Sequence, residues 1–413
     1  MKGLDIKRII TWMLCLTGLL MSSCIRNDKL DDSKNRTVLV YICGDNNLSN
    51  IANSNIYSMN SCISNSMDNS NLLVFVDRKG AVPSLLHIHN FKIDTIATYP
   101  GVDSTDPKVL SKVIDEMEHN WKAEHYGLIL WSHGTGWIPT KQLHYVAPNM
   151  NYAQLRDGSI SYDEGMGVLE GQRFPHDTRA FGWKDRPGET PNYKCMEVDD
   201  LKQGIPDGLF DYIVFDACYM GNVEIMYALR NKADYIISSC YEIISYGFPY
   251  HIVTRDLMNG NLIKSCNEFH KYYNSMSGWE QMAGVSLVKT DGLDSLARCF
   301  RKIVNGYGDH IADMDVSNVQ HFDRFKRHVF YDLEDFVEKL GTPKELMNEF
   351  RLQLENNVVT FKISTPYIFP GDHDSIKVNS YCGLSVYIPL REYDDSGLND
   401  DYRKLDWSLM TDY

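Results

Sequence analysis

The strongest limit on the fold comes from a short apolar run that ends in a polar turn, residues 211–221, with the sequence DYIVFDACYMG. Its aromatic and β-branched residues are typical of a strand that is buried on both faces. The run delivers Asp216 and Cys218 to its end, and a helical pattern follows over residues 222–230. Open α/β sheets place their reactive groups at the carboxyl ends of such strands. We therefore expect the chemistry of this protein at Cys218 and its surroundings.

The same alternation of strand and helix patterns continues along the chain. Residues 85–99 alternate around Asn90 and predict a hairpin. Further strands are predicted at residues 37–42, 72–77, 127–133, 233–239, 283–288 and 383–389, and helices after Asp106 and at residues 198–205, 293–304 and 333–356. Strands that alternate with helices predict an α/β fold with a mostly parallel central sheet and helices on both faces.

His133 and Cys218 are the candidate catalytic pair. Each follows an apolar run, and neighbouring parallel strands bring their ends together, so an imidazole there can exchange a proton with a thiol. The helix expected after Cys218 favours the thiolate and predicts a lowered pKa for Cys218. The backbone N–H groups of Gly134 and Cys218 are candidates for stabilising an oxyanion. The alternative for both side chains is an ordinary structural role, as a packed cysteine and a hydrogen-bonded histidine.

The first residues form a leader and not a part of the fold. A basic start precedes an apolar segment, residues 9–21, that is too short to span a membrane, which is typical of a secretory signal peptide. The ending LMSSC resembles a lipobox, in which Cys24 becomes the lipidated N-terminus and anchors the protein in the bacterial cell envelope. A plain secretory signal with an incidental cysteine is the alternative. The expected parts are a signal peptide (1–23), a lipidated tether (24–36), a folded domain (37–395) and a C-terminal tail (396–413).

Charge and cysteine content indicate which partners, metal sites and disulfides to expect. The formal net charge of -14 disfavours nucleic acid as a partner and favours a positively charged peptide. The ten cysteines form no CxxC pair and no pattern of metal ligands, so zinc is not expected. With Cys218 reactive and two cysteines assigned to the leader and the lipid anchor, seven remain, and an odd number excludes a complete disulfide framework.

Two segments give the chain a recognisable resemblance. WSHGTGW at residues 131–137 and FDACYMGNVE at residues 215–224 are similar to the clostripain family of cysteine peptidases, and the match extends over most of residues 36–390. The resemblance implies a caspase-like three-layer sandwich. It also implies that Cys218 is the nucleophile, that His133 is the acid or base, and that cleavage of protein or peptide substrates follows Arg or Lys.

The resemblance also implies how a basic side chain is selected. Asp216 lies at the position associated with the pocket for the residue before the cleaved bond, the P1 residue. Glu242 is a second candidate acid, and Trp137 is a candidate for lining the substrate cleft. From chemistry alone, a carboxylate on the floor of that pocket would pair with a guanidinium or ammonium group. Alternatively, Asp216 is a strand-end carboxylate that accepts hydrogen bonds from the nearby backbone. The alternative for Trp137 is a packed side chain that does not contact substrate.

Related peptidases are made as zymogens that cut themselves after a basic residue. Here the irregular segment 135–194 contains several such residues, and Arg156, before Asp-Gly-Ser, is the candidate processing site. No organic cofactor is implied. Calcium dependence occurs in the family, but no loop has the oxygen-ligand spacing of an EF-hand, so no site is assigned. The rival functions are an inert surface lipoprotein that uses the fold as a binding module, and an amide hydrolase acting on non-protein substrates.

Overall fold

The computed structural model describes residues 36–64, 69–146, 181–185, 193–370 and 375–413, all within one compact unit, residues 34–413. The predicted signal peptide, the candidate lipidation site Cys24 and the candidate processing site Arg156 lie outside these residues. None of the helices in the described part of the chain combines the length and the apolar character needed to cross a membrane.

A large sheet forms the centre of the molecule. Within the described residues the strands are β1 (Arg36–Gly44), β2 (Ser70–Arg78), β3 (Ser84–His89), β4 (Lys92–Thr98), β5 (His125–Trp131), β6 (Phe181–Asp185), β7 (Tyr193–Met196), β8 (Phe210–Asp216), β9 (Ala233–Ser238), β10 (Gly284–Lys289), β11 (Tyr331–Asp332), β12 (Val359–Ser364), β13 (Tyr367–Ile368), β14 (Ile376–Lys377) and β15 (Ser385–Val386). The central sheet of these residues has the order β12-β10-β9-β8-β5-β1-β2-β3-β4. The strands from β9 to β2 in this order run parallel, and the strands at both edges are antiparallel.

Helices cover both faces of this sheet, as the sequence predicts. They are α1 (Ser49–Asn60), α2 (Pro107–Asn120), α3 (Leu143–Val146), α4 (Val198–Gly204), α5 (Val223–Ala228), α6 (Tyr250–Met258), α7 (Leu262–Asn274), α8 (Leu293–Tyr307), α9 (Leu333–Lys339), α10 (Lys344–Gln353), α11 (Leu398–Tyr402) and α12 (Asp406–Thr411) in the described residues. One layer contains α1, α6 and α7, and the other contains α2, α4, α5, α8 and α12. The parallel strands between these layers are almost completely buried, which explains their continuous apolar sequences.

The structure corrects three details of the sequence-based description. The predicted helix over residues 333–356 is interrupted between α9 and α10, because Gly341 is left-handed and Pro343 precedes the new helix. The predicted strand over residues 383–389 forms only β15, which pairs with β11 outside the central sheet. Arg36 is not part of a tether: it opens β1, is buried, and forms a 2.9 Å ion pair with Asp211.

The residues described from sequence as a C-terminal tail are packed into the domain. Helices α11 and α12 lie within residues 396–413, and the rings of Tyr402 and Trp407 are fully buried. Trp407 packs against Phe300 of α8 and Tyr227 of α5. The C-terminal helices therefore complete the core on one face of the sheet.

Cysteine behaves as a small apolar side chain throughout the described fold. All eight cysteines of the described residues are free thiols, and all but Cys62 are buried. This agrees with the sequence-based conclusion that a complete disulfide framework is excluded.

Candidate active site

The ends of β5 and β8 bring the two candidate catalytic residues together. These strands are parallel neighbours, with Trp131 paired with Asp216, and the ladder ends with a 3.3 Å hydrogen bond from Ser132 N–H to the Asp216 carbonyl. His133 and Cys218 each lie two residues beyond the last pair. A Cβ atom built on Gly134 would lie 2.6 Å from the Cys218 carbonyl oxygen. Glycine is therefore required at position 134 for the two strand ends to pack closely.

The thiol of Cys218 is held by the loop that follows β9. Its Sγ lies 3.5 Å from the Ile243 carbonyl oxygen and accepts a 3.3 Å hydrogen bond from Ile243 N–H. Burial raises the pKa of Cys218, and the nearby carboxyl of Glu242 raises it further. The sequence-based expectation of a lowered pKa is wrong for this state, because burial outweighs the field of a six-residue helix. The thiol is neutral here.

The turn between Cys218 and α5 is fixed by its own residues. Tyr219 adopts a left-handed backbone with φ of 58°, which is rare for a bulky side chain. The Asn222 side chain donates to the Tyr219 carbonyl at 2.7 Å and accepts from Ile225 N–H at 3.1 Å, so it closes the turn and caps the helix. Gly221 lies against the backbone of the β9 end, with its N–H 2.7 Å from the Ser239 carbonyl. These contacts explain the sequence CYMGN as a rigid support for Cys218.

His133 is oriented by a residue that the sequence reasoning missed. The Nε2 atom of His133 lies 2.8 Å from Oδ1 of Asn47, in the loop between β1 and α1. The signal was present in the sequence: residues 44–47 are a polar turn at the carboxyl end of a strand, and β1 is the parallel neighbour of β5. Finding it required the strand order, which brings that turn next to His133.

Asp216 is a buried carboxyl at the end of β8. Its Oδ2 atom accepts hydrogen bonds from Phe248 N–H at 3.0 Å and from the Tyr250 hydroxyl at 2.8 Å. Burial raises the pKa of Asp216 to about 6, against the lowering effect of both hydrogen bonds. Gly247 covers the carboxyl closely, since a Cβ atom there would lie 2.5 Å from Oδ2. Asp216 is therefore a strand-end carboxyl that bonds the backbone of the loop before α6 and the first residue of that helix, which agrees with the structural alternative given for it from sequence.

Glu242 and Trp137 are placed differently from the sequence-based expectation. The carboxyl of Glu242 is buried, accepts a 2.8 Å hydrogen bond from the Tyr219 hydroxyl, and lies 4.0 Å from the guanidinium of Arg324. Burial raises the pKa of Glu242 to about 7. The ring of Trp137 is 1% exposed and packs edge-on against Tyr387. Glu242 thus supports the turn after Cys218, and Trp137 belongs to an aromatic core and not to a cleft surface.

Strand β6 braces the site from outside the central sheet. The Gly182 N–H donates to the His133 carbonyl at 3.2 Å. Two residues later, the ammonium of Lys184 lies 2.9 Å from carboxylates of both Asp45 and Asp77. Burial alone would lower the pKa of Lys184, and the two carboxylates raise it above its ordinary value instead. This ion-pair cluster ties β6 to the loop that carries Asn47.

No metal site emerges from the described residues. Among them, no group of three or more histidine, cysteine or carboxylate side chains is arranged to hold an ion. We assign no calcium ligand to this part of the chain.

Comparison with known proteins identifies the family. The model of the clostripain family matches residues 40–164 and 145–408, well over half of the chain. The chain belongs to the clostripain family. A curated relative, clostripain of Hathewaya histolytica, is 26% identical over 256 residues, which cover 54% of this chain and 42% of that protein. The match to this clostripain therefore spans less than half of its length.

Solved structures of this family share the fold. An inactive zymogen C11 protease from Parabacteroides distasonis is 28% identical, with a TM-score of 0.72 over 91% of this chain and 97% of its own. A secreted C11 cysteine protease from Bacteroides thetaiotaomicron, solved with an irreversible peptide inhibitor, is 27% identical with a TM-score of 0.72 over 92% of this chain and 99% of its own. The caspase-like sandwich inferred for this clostripain-family chain from sequence is confirmed.

Proposed function

We propose that this protein is a cysteine endopeptidase that cleaves peptide bonds after Arg or Lys, with Cys218 as nucleophile and His133 as acid and base. The observation that carries the proposal is the convergence of His133 and Cys218 at the adjacent ends of β5 and β8, in a chain that belongs to the clostripain family. A secreted relative of similar fold that binds an irreversible peptide inhibitor supports a peptide substrate.

The proposed reaction begins with a proton transfer from Cys218 to His133. His133 takes the proton of the Cys218 thiol as Sγ bonds to the carbonyl carbon of the substrate. The backbone N–H groups of Gly134 and Cys218 are assigned to the oxyanion that forms. The C–N bond then breaks, and His133 gives the proton to the leaving amine. Water hydrolyses the resulting thioester, releases the carboxylate product and restores the thiol.

Selection of a basic P1 residue is assigned to Asp216. A carboxylate beside the nucleophile pairs with a guanidinium or ammonium, and the low dielectric of a buried site strengthens that attraction. With a pKa of about 6, Asp216 is mostly ionised at neutral pH. Glu242 is not assigned to the P1 residue, because its carboxyl already lies 4.0 Å from the cationic group of Arg324, whereas the hydrogen-bond partners of Asp216 are neutral.

The described state has the character of a latent enzyme. The thiol is 6% exposed, neutral, and bonded to the backbone of Ile243, so that loop has to move before a substrate reaches Sγ. A zymogen of similar fold supports activation by self-cleavage, which we assign to the segment containing Arg156. Two other basic residues near that segment are engaged: Lys141 with Asp401, and Lys184 with Asp45 and Asp77.

Export and anchoring complete the proposal. A secreted relative of similar fold supports transport across the inner membrane. The lipobox-like ending at Cys24 supports a lipid anchor that holds the enzyme in the cell envelope, with residues 25–35 as the spacer.

A panel of fluorogenic peptides that differ only in the P1 residue (Arg, Lys, Asp or Ala) tests the enzyme. We expect the wild type to hydrolyse only the Arg and Lys peptides and to separate into two fragments on a denaturing gel. Cys218→Ala should stay intact and inactive, whereas Asp216→Asn should lose kcat/KM for the basic peptides by about 10²-fold, since a charged hydrogen bond contributes roughly 1.5–3 kcal/mol.

The matched control is Cys299→Ala, which removes another buried thiol and should keep full activity. Absence of turnover with every peptide, in a folded protein whose cut between β5 and β8 also appears in Cys218→Ala, would refute the peptidase and favour the binding module. Equal cleavage of the Asp, Ala and Arg peptides would refute the role of Asp216 in selectivity, but it would not refute the peptidase.

A further inference from the structure

The two carboxylate oxygens of Asp216 are used unequally by the protein. Its Oδ2 atom accepts a 3.0 Å hydrogen bond from Phe248 N–H and a 2.8 Å hydrogen bond from the Tyr250 hydroxyl. Within the described residues Oδ1 receives no hydrogen bond, although Asp216 is only 3% exposed. A buried carboxylate oxygen without a donor is uncommon in a folded protein, and it is explained if a ligand supplies the donor.

The neighbours of Asp216 do not neutralise its charge. Within the part of the chain that the structure describes, no cationic side chain forms an ion pair with Asp216. Three titratable groups of this part lie near enough for its charge to raise their pKa: the thiol of Cys218, and the hydroxyls of Tyr250 on α6 and Tyr273 on α7. Burial raises the pKa of each further, so all three are neutral at pH 7. The positive charge that complements Asp216 is therefore left to a ligand.

The segment that bonds Oδ2 is held in place by α7. The Tyr273 hydroxyl donates a 2.5 Å hydrogen bond to the Gly247 carbonyl. The ring of Phe248 stacks on the ring of Phe269, with 4.4 Å between the centroids. The hydrogen bond from Phe248 N–H to Oδ2 therefore comes from a supported backbone.

Tyr250 gives Asp216 its one side-chain hydrogen bond within the described residues. It is the first residue of α6, and its carbonyl accepts a 2.6 Å hydrogen bond from the Thr254 hydroxyl. Burial raises the pKa of Tyr250 well above its ordinary value, and the charge of Asp216 raises it further, so the hydroxyl stays protonated and donates. A donated hydrogen bond favours the ionised form of the carboxyl and limits its rotation.

We propose that Tyr250 is a positioning residue for substrate selection, whose hydroxyl holds Oδ2 of Asp216 so that Oδ1 is left to the guanidinium or ammonium of a basic P1 side chain. Tyr250 acts through Asp216 and does not itself contact the substrate. The kinetic part of this inference rests on the proposed peptidase function, whereas the hold of Tyr250 on the carboxylate is a property of the resting protein and does not.

Tyr250→Phe removes the hydroxyl and keeps the ring. A hydrogen bond to a charged group changes an equilibrium by roughly 10–100-fold, so the acidic limb of kcat/KM for the Arg and Lys peptides should move to higher pH by about one to two units. At pH 7 we expect kcat/KM to fall about 10-fold, mainly through KM, since the pair with the P1 cation already forms in the ground state. Tyr273→Phe is the matched control: it removes a hydroxyl that bonds the backbone of the same segment, and it should leave the acidic limb in place.

A second measurement detects a general disturbance of the loop after β9. This loop also bonds the Cys218 thiol through Ile243. Iodoacetamide carries no P1 side chain, so its rate of alkylation of Cys218, followed by mass spectrometry of that peptide, should be the same in Tyr250→Phe and the wild type. A changed alkylation rate together with activity lost at every pH would show that the hydroxyl only supports the loop, and the proposal would be overturned.

Carbon-13 NMR of the aspartate carboxyls in the full-length Cys218→Ala protein tests the hold without any catalysis, with Asp216→Asn used to identify the signal. We expect Asp216 to titrate with a pKa of about 6 in this parent. Adding Tyr250→Phe should raise that pKa by about one to two units. The parent alone decides the question if Tyr250→Phe does not fold, because an Asp216 that is still protonated at about pH 8 overturns the proposal.

The outcomes separate this proposal from the function on which it rests. An Asp216 titration that Tyr250→Phe leaves unchanged overturns the proposal, even in an active enzyme. A titration that moves while the pH profile for the Arg and Lys peptides does not move overturns the role in selection. An Asp216 titration that depends on Tyr250, in a protein that cleaves none of the peptides, supports the hold on the carboxylate and refutes the peptidase.

Discussion

Glu224 is a buried carboxyl whose ionisation opposes folding. Its side chain is 1% exposed, and Oε1 accepts a 2.9 Å hydrogen bond from Tyr387 N–H, which ties α5 to the segment after β15. Burial raises the pKa of Glu224 from its ordinary 4.5 to about 7, against the lowering effect of the hydrogen bonds. The folded protein therefore binds a proton at Glu224 over a pH range in which the unfolded chain has released it.

The direction of the effect follows from linkage. Because the folded pKa lies above the unfolded one, the stabilisation linked to Glu224 is fully present below about pH 4.5 and is lost as the pH rises through about 7. A shift of this size amounts to about 3 kcal/mol above that range. Glu224→Gln keeps the shape and the acceptor but not the ionisation. We predict that its free energy of unfolding, relative to the parent, increases by about 2 kcal/mol between roughly pH 5.5 and 8.

Urea unfolding followed by tryptophan fluorescence measures this difference. Cys218→Ala serves as the parent, so that self-cleavage does not interfere. Asp216 and Glu242 also have raised pKa values, but both proteins contain them and their contributions cancel in the difference. Glu118→Gln, at an exposed position of α2, is the control and should show a difference that does not vary with pH. If the curve for Glu224→Gln ran parallel to that of the parent, Glu224 would be ionised in the folded state and the reasoning would be wrong.

Two further substitutions test packing and charge near the site. Gly134→Ala should lower the free energy of unfolding by about 1–3 kcal/mol, because its Cβ would lie 2.6 Å from the Cys218 carbonyl oxygen. If urea unfolding showed unchanged stability while activity was lost, the glycine would be needed for the substrate and not for packing. Lys184→Met should destabilise the protein by about 3 kcal/mol in the same assay by leaving buried Asp77 without its cation. Lys302→Met, which breaks an exposed ion pair, should cost less than about 1 kcal/mol, and an equal loss in both variants would contradict this distinction.

The sequence predicted the parts of the site that depend on strand periodicity. The buried runs that end at His133 and Cys218 could be read as neighbouring parallel strands, because an apolar run without alternation indicates burial on both faces. The family resemblance added the caspase-like sandwich, which comparison with solved structures confirms. These inferences succeeded because each depends on local sequence pattern or on motifs that lie within single segments.

The remaining parts depend on how loops from distant segments meet. Asn47 contacts His133 only because β1 lies beside β5, and Ile243 reaches the thiol only through the path of the loop after β9. The prediction that the helix lowers the pKa of Cys218 was wrong for a similar reason, since the sequence indicates the helix but not the depth at which the thiol is buried. Glu242 and Trp137 were candidates for the substrate pocket and cleft from sequence, and only the packed structure reveals that their partners are internal.

The position of the segment between β5 and β6 has a consequence for the integrity of the enzyme. A cut between residues 147 and 180 would leave His133 on one polypeptide and Cys218 on the other, joined by the β5–β8 ladder, the Gly182 contact and the Lys184 ion pairs. The described cysteines are free thiols and supply no covalent link. The processed enzyme would then unfold as a heterodimer, with a stability that depends on concentration, and once separated its halves would have to find each other again. Such a cut would activate the enzyme. After unfolding, however, the two fragments would have to reassociate, so the activity would be hard to recover.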